Sequence, residues 1–67
     1  MNKFAERLKE LREEKNLTQY ELSKKVNIST ACINRWEKNL RVPIIDSIII
    51  LCHFFGCTAD YLIGLED

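Results

Sequence analysis

Few residues in this chain could do covalent or metal chemistry. Its only cysteines are Cys32, Cys52 and Cys57, and its only histidine is His53. Cys52, His53 and Cys57 follow a C-H-x3-C spacing that matches no strong zinc pattern, and a structural zinc needs four ligands. The thiols read instead as reduced, small apolar core residues, and His53 as a helix residue with no chemical role. One histidine, no nucleophile–base pairing and no glycine-rich phosphate loop leave an enzyme nothing to work with. No catalytic residue, metal, cofactor or small-molecule substrate is therefore expected. What remains is hydrogen-bonding chemistry. Ser29-Thr30-Ala31 are all short, Asn34 and Arg35 follow one turn later, and Lys38, Asn39 and Arg41 come next. Hydroxyls that donate or accept, an amide and a guanidinium suit noncovalent recognition.

The chain has 67 residues, enough for one small domain spanning residues 1–67. A domain of this size buries only roughly 60% of its unfolded surface, which leaves no room for an elaborate enclosed pocket. Apolar residues make up 46% and charged residues 30%, an ordinary globular balance that argues against disorder. The N-terminal stretch is charged at close intervals and has no apolar core of a leader. The longest apolar run, Ile48–Cys52, is far short of the ~20 residues that cross a bilayer. No membrane association is expected, and the three cysteines without framework spacing fit a reducing cytoplasm.

Ten Lys/Arg balance ten Asp/Glu, so the formal net charge is zero. Neutrality argues against a nucleic-acid partner, but the charges are unevenly spread. Residues 1–43 hold all ten basic residues and six acids, a net of +4; residues 44–67 hold four acids and no Lys or Arg, a net of −4. Such asymmetry, rather than the total, directs a polyanion to one face.

The elements that must position these residues are helices. Only two glycines and one proline interrupt the chain. Over Lys3–Lys15, Phe4, Leu8 and Leu11 form an apolar stripe, Asn2 can cap the start, and Asn16 can adopt the left-handed backbone that ends a helix. Thr18-Gln19-Tyr20-Glu21 is a capping box opening a second helix, with Leu17 and Leu22 as its hydrophobic staple. That helix should end near Lys25, leaving the turn Val26-Asn27-Ile28. Ser29 caps a third helix whose inward side is Ile33 and Trp36, with Asn39 as its stop. Trp36 shares the Ile33 face and so reads as packing rather than as a stacking platform. A fourth helix runs Ile45–Phe55, with Ile45, Ile48, Leu51, Cys52 and Phe55 as core stripe. Ile49, Ile50 and Phe54 lie off that stripe, so this helix should be covered on more than one side. Gly56 ends it, Thr58 caps a last helix Ala59–Ile63, and Gly64 stops that one. The expected fold is all-α, with five short helices and a helix-turn-helix at helices 2 and 3, over about residues 18–38.

The stretch TQYELSKKVNISTACINRWEKNLRVP, followed by FFGCTADYLIG, resembles the phage-repressor or Cro-like (XRE) family of helix-turn-helix domains. The resemblance covers Phe4 to Gly64, and its ordered motifs with spacings intact are specific. Asn27 and Asn39 stand where that family usually has glycine; both positions want a left-handed backbone, and asparagine is the best non-glycine substitute. Ser23 replaces the usual alanine at the contact between helices 2 and 3. Its hydroxyl can be satisfied within its own helix. Ile44 replaces the usual Ser/Thr cap of helix 4, with Asp46 as the alternative cap.

The resemblance implies a compact lambda-repressor-like fold that binds double-stranded DNA, with the third helix in the major groove. Helical phase and resemblance together assign base reading to Thr30, Ala31 and Arg35, with Asn34 secondary. Arginine to guanine O6/N7 is the commonest specific contact, and a threonine methyl or alanine can meet a thymine methyl. Gln19, Ser29, Lys38, Asn39 and Arg41 are expected at phosphates, with Tyr20 a weaker candidate. Arg12 and Glu37 match a family pair that forms a partly buried salt bridge and orients the third helix. The implied role is a transcriptional regulator, a repressor, that reads a palindromic operator as a homodimer. One such module makes too few contacts for tight binding alone. Ile49, Ile50, Phe54, Leu62 and Leu65 are the candidate dimer or docking surface. The alternative is a protein-interaction or dimerisation module of the same fold that does not bind DNA.

Overall fold

The computed structural model describes residues 3–66, and they form five helices in the order α1 (Phe4–Glu14), α2 (Gln19–Val26), α3 (Thr30–Glu37), α4 (Ile45–Phe55) and α5 (Ala59–Ile63). No strand occurs among the described residues. α1 packs on α3 and α5, α2 on α3 and α4, and α4 on α5. The shared core is Phe4, Leu8, Leu22, Val26, Ile33, Trp36, Ile48, Leu51 and Leu62. Phe4 and Trp36 meet edge to face at its centre, with ring centroids 5.8 Å apart.

Short polar side chains start three of the helices. The Thr18 hydroxyl accepts from the Glu21 amide at 3.0 Å while the Thr18 amide donates to the Glu21 carboxylate at 2.8 Å, which completes the capping box. Ser29 caps α3 by accepting from the Cys32 amide, and Thr58 caps α5 by accepting from the Tyr61 amide. α1 and α4 start without a side-chain cap, at Lys3 and Ile44. Asn2 lies outside the described residues. Asp46 does not cap α4; it stands in the first turn, where its charge favours the helix dipole.

Each helix is terminated by a left-handed residue: Asn16, Asn27, Asn39, Gly56 and Gly64. After α1, α3 and α4 the next amide reaches back to the last turn, as Leu17 N to Arg12 O, Leu40 N to Arg35 O and Cys57 N to Cys52 O. These bonds satisfy carbonyls that the helix itself leaves open. α2 runs one residue past the expected Lys25, and Asn27 closes it by the same device. At Gly64 the positive φ is joined by close approach: a Cβ there would lie 2.9 Å from the Lys3 backbone nitrogen.

Three expectations about the apolar residues are corrected. Ile45 is 69% exposed and outside the core, because it is the first residue of α4 and projects past the end of the bundle; the buried stripe begins at Ile48. α4 is not covered all round, since Ile49 and Ile50 are exposed. Leu62 is fully buried and closes the core between α1 and α4, so it belongs to no exposed surface. A five-residue helix is too short for its sequence period to tell which side faces inward.

Arg7 is a core residue that sequence reading missed. Its guanidinium lies 4.2 Å from the centre of the Tyr61 ring and donates to the Tyr61 carbonyl and to that of Glu66, tying the end of the chain to α1. The signal was available: Arg7 sits three residues after Phe4 and four before Leu11, on the apolar side of α1.

Candidate nucleic-acid interface

α2, the turn Asn27–Ser29 and α3 form the helix-turn-helix unit. The left-handed Asn27, with φ of 57°, turns the chain between the two helices. Across the junction the Thr30 hydroxyl donates to Ser23 Oγ at 3.0 Å, and Ser23 donates to the Tyr20 carbonyl of its own helix at 2.6 Å. The serine at this contact is thus satisfied within α2 and also ties α3 to it.

A second network fixes the rotation of α3. Glu37 accepts from Arg12 Nε at 2.7 Å and from Arg12 Nη2 at 2.9 Å, while Arg12 Nη1 donates to the Leu17 carbonyl at 2.8 Å. The side chains are 12% and 4% exposed, so the pair is largely out of water. Hydrogen bonding to the Glu37 carboxylate favours the charged guanidinium and outweighs the opposing effect of burial. Gln19 Nε2 donates to the same Glu37 carboxylate at 3.1 Å, and Asn34 Nδ2 donates to Gln19 Oε1 at 3.2 Å. The chain Arg12–Glu37–Gln19–Asn34 therefore crosses from α1 through α3 to the start of α2 and back to α3.

This network sorts the candidate contacts. Ala31 and Arg35 are exposed and one turn apart, and Lys38 continues their stripe past the end of α3. Asn39 and Arg41 are exposed in the loop that follows. Ser29 is exposed, with its hydroxyl engaged as the cap. Thr30 and Asn34 are half-buried toward α2, and the half-buried Gln19 has both ends of its amide engaged within the protein. An open cleft of about 320 Å³ lies where α2 meets the start of α3, with Tyr20, Lys24, Asn27 and Ser29 on its walls. Lys24, absent from the expected contacts, holds its ammonium 5.2 Å from the Tyr20 ring centre there. Only its position beside Tyr20 in space marks it out from other surface lysines.

Of the candidate dimer surface, Ile49, Ile50 and Leu65 are exposed. Phe54 is half-buried, edge to face with Phe55 and under the Lys15 ammonium. No helix among the described residues is long and apolar enough to cross a membrane.

The chain's sequence is similar to those of known proteins. Over 64 residues, 96% of the chain, it is 36% identical to the HTH-type transcriptional activator BcrR of Enterococcus faecalis. Over the same share it is 32% identical to the HTH-type transcriptional regulator ImmR and 30% identical to the uncharacterized HTH-type transcriptional regulator YobD, both of Bacillus subtilis. The chain spans 31%, 50% and 57% of the lengths of BcrR, ImmR and YobD. Residues 8–62 match the Helix-turn-helix family, a span running from α1 into α5 and containing the whole α2–α3 unit. With its capping box, left-handed turn and α1–α3 bridge in place, the chain belongs to the XRE-type helix-turn-helix family.

Proposed function

We propose that residues 1–67 form a single DNA-binding domain of a cytoplasmic transcriptional regulator, a repressor that reads a palindromic operator as a homodimer. The carrying observation is the exposed stripe Ala31–Arg35–Lys38 on a helix whose rotation is fixed by the Arg12–Glu37–Gln19–Asn34 network. A side chain can discriminate base edges only if the helix bearing it is held in one orientation. The relatives' names, one an HTH-type transcriptional activator and one an HTH-type transcriptional regulator, support the DNA-binding regulator part of this reading.

In this reading α3 lies in the major groove. Arg35 takes a guanine edge, Ala31 and the Thr30 methyl meet thymine methyls, and Asn34 contributes from the side nearest α2. Lys38, Asn39 and Arg41 hold phosphates beyond the end of α3, and Ser29 and the backbone amide of Gln19, whose side chain is engaged within the fold, hold them at the starts of α3 and α2. The +4 net charge of residues 1–43 draws DNA to this half. Two copies joined through Ile49, Ile50 and Leu65, with Phe54 at the edge, would span half-sites about 34 Å apart.

Selection of bound sequences from random duplexes, with the purified chain, tests this reading. Enrichment of an inverted repeat supports it, and affinity should then fall with log salt at a slope near −0.9 per phosphate neutralised. A reporter carrying the selected operator reads the sign of regulation. The exposed isoleucines of α4 favour a second reading, a protein-interaction module that does not bind DNA. Failure to bind any duplex at low salt would select it.

A further inference from the structure

α4 carries a stripe that DNA reading does not use. Asp46, Ile49, Ile50 and His53 lie on one side of the helix over two turns, and all four are exposed. Neither Asp46 nor His53 forms a salt bridge or a side-chain hydrogen bond among the described residues.

The stripe is its own complement. Turned end for end, it reads His, Ile, Ile, Asp. A two-fold axis between Ile49 and Ile50 therefore lays Ile49 against the partner's Ile50 and Asp46 against the partner's His53. Because such an interface is isologous, the second Asp–His contact forms at the other end, about 10 Å away along the seam. Charge sharpens the match. Residues 44–67 carry four acids and no Lys or Arg, so two copies meeting through this half repel each other. His53 is the one side chain in this half that can carry a positive charge.

We propose that two copies associate through α4 as an antiparallel pair, with register set by Asp46 against the partner's His53, and that association tightens as pH falls. This rests on the homodimer reading and adds its register and pH response. Of the elements packed on α4, α5 carries Asp60 and Tyr61, α2 carries Tyr20, Glu21, Lys24 and Lys25, and just past the end of α1 the Lys15 ammonium lies over Phe54. None makes an ion pair with His53, which leaves the partner's Asp46 as its counter-charge. Histidine takes up its proton as pH falls through about 6.5, where an aspartate is still charged. A histidine that gains a carboxylate on association holds that proton more tightly. Dimerisation therefore takes up protons and weakens as pH rises through that range.

Sedimentation equilibrium at about pH 5.5 and about pH 8 tests the proposal. The dimer dissociation constant should be about two- to tenfold larger at the higher pH. His53→Gln, an exposed change that leaves the core intact, should remove that difference. Ile49→Glu should weaken the dimer at both pH values, and the exchange Asp46→His with His53→Asp should restore the pH response. A dimer indifferent to pH, to His53→Gln and to Ile49→Glu overturns this inference and leaves a homodimer built on another face. A wild-type chain that stays monomeric at every concentration overturns both.

Discussion

Glu37 of α3 grips the guanidinium of Arg12 on α1 through two hydrogen bonds, at 2.7 and 2.9 Å, and leaves little of either side chain in water. The bridge acts as a strut that sets how α3 is rotated against the rest of the fold.

Removing one end of that strut strands a charge. Arg12→Met or Glu37→Leu alone should each cost on the order of 3 kcal/mol of unfolding free energy, because the remaining ion is buried without its partner. The double variant should cost clearly less than the sum, since it leaves no orphan charge. Urea unfolding of the four proteins checks this. Strict additivity would show that the two residues act independently.

The exposed end of the same helix should separate two kinds of DNA contact. Arg35→Ala should cost roughly 1–3 kcal/mol and relax preference at one operator position. Lys38→Ala should weaken all sequences alike and reduce the salt slope by about 1. Binding assays on a panel of single-base operator variants, at two salt concentrations, distinguish these outcomes. A Lys38→Ala variant that changed sequence preference would contradict the assignment.

What could be read beforehand follows from the range of each interaction. The Thr18–Glu21 box and the left-handed asparagines are local: donor and acceptor lie within a few residues, so spacing alone finds them. The Arg12–Glu37 bridge joins residues 25 apart and was reachable only through family likeness. The Gln19–Asn34 bond, 15 residues apart, had no local mark, so the engagement of Gln19 within the fold was invisible. Leu62 and Ile45 were misplaced for a related reason. At helix ends and in a single helical turn, periodicity gives too few positions to decide a face, and tertiary packing decides instead.

The asparagines that close α2 and α3 carry positive φ, 57° at Asn27 and 61° at Asn39. A side chain in this region costs more than glycine, and asparagine costs less than alanine or valine. Asn39→Ala should therefore destabilise by about 1 kcal/mol, while Asn39→Gly should be neutral or slightly stabilising. The same order should hold at Asn27. Thermal unfolding of the four single variants checks it. Equal loss with alanine and glycine would mean that the asparagine side chain itself, rather than its backbone, supplies the stability.

Cys57 follows the end of α4, and its amide donates to the Cys52 carbonyl at 3.1 Å, which brings the two half-buried residues together. Burial first, and then the neighbouring Cys52, push the Cys57 thiol up from 9.0 to about 11. In the unfolded chain this thiol ionises near 9.0, whereas in the folded protein it stays protonated until about 11. The folded state therefore holds the extra proton in between, and the stability it contributes below pH 9.0 is lost as pH rises toward 11. Lysines and tyrosines titrate in the same range, so the informative quantity is the difference between wild type and Cys57→Ala. Urea unfolding from neutral pH to about 11 should give a steeper alkaline loss for the wild type than for the variant. Parallel curves would show that this thiol ionises alike in the folded and unfolded chain.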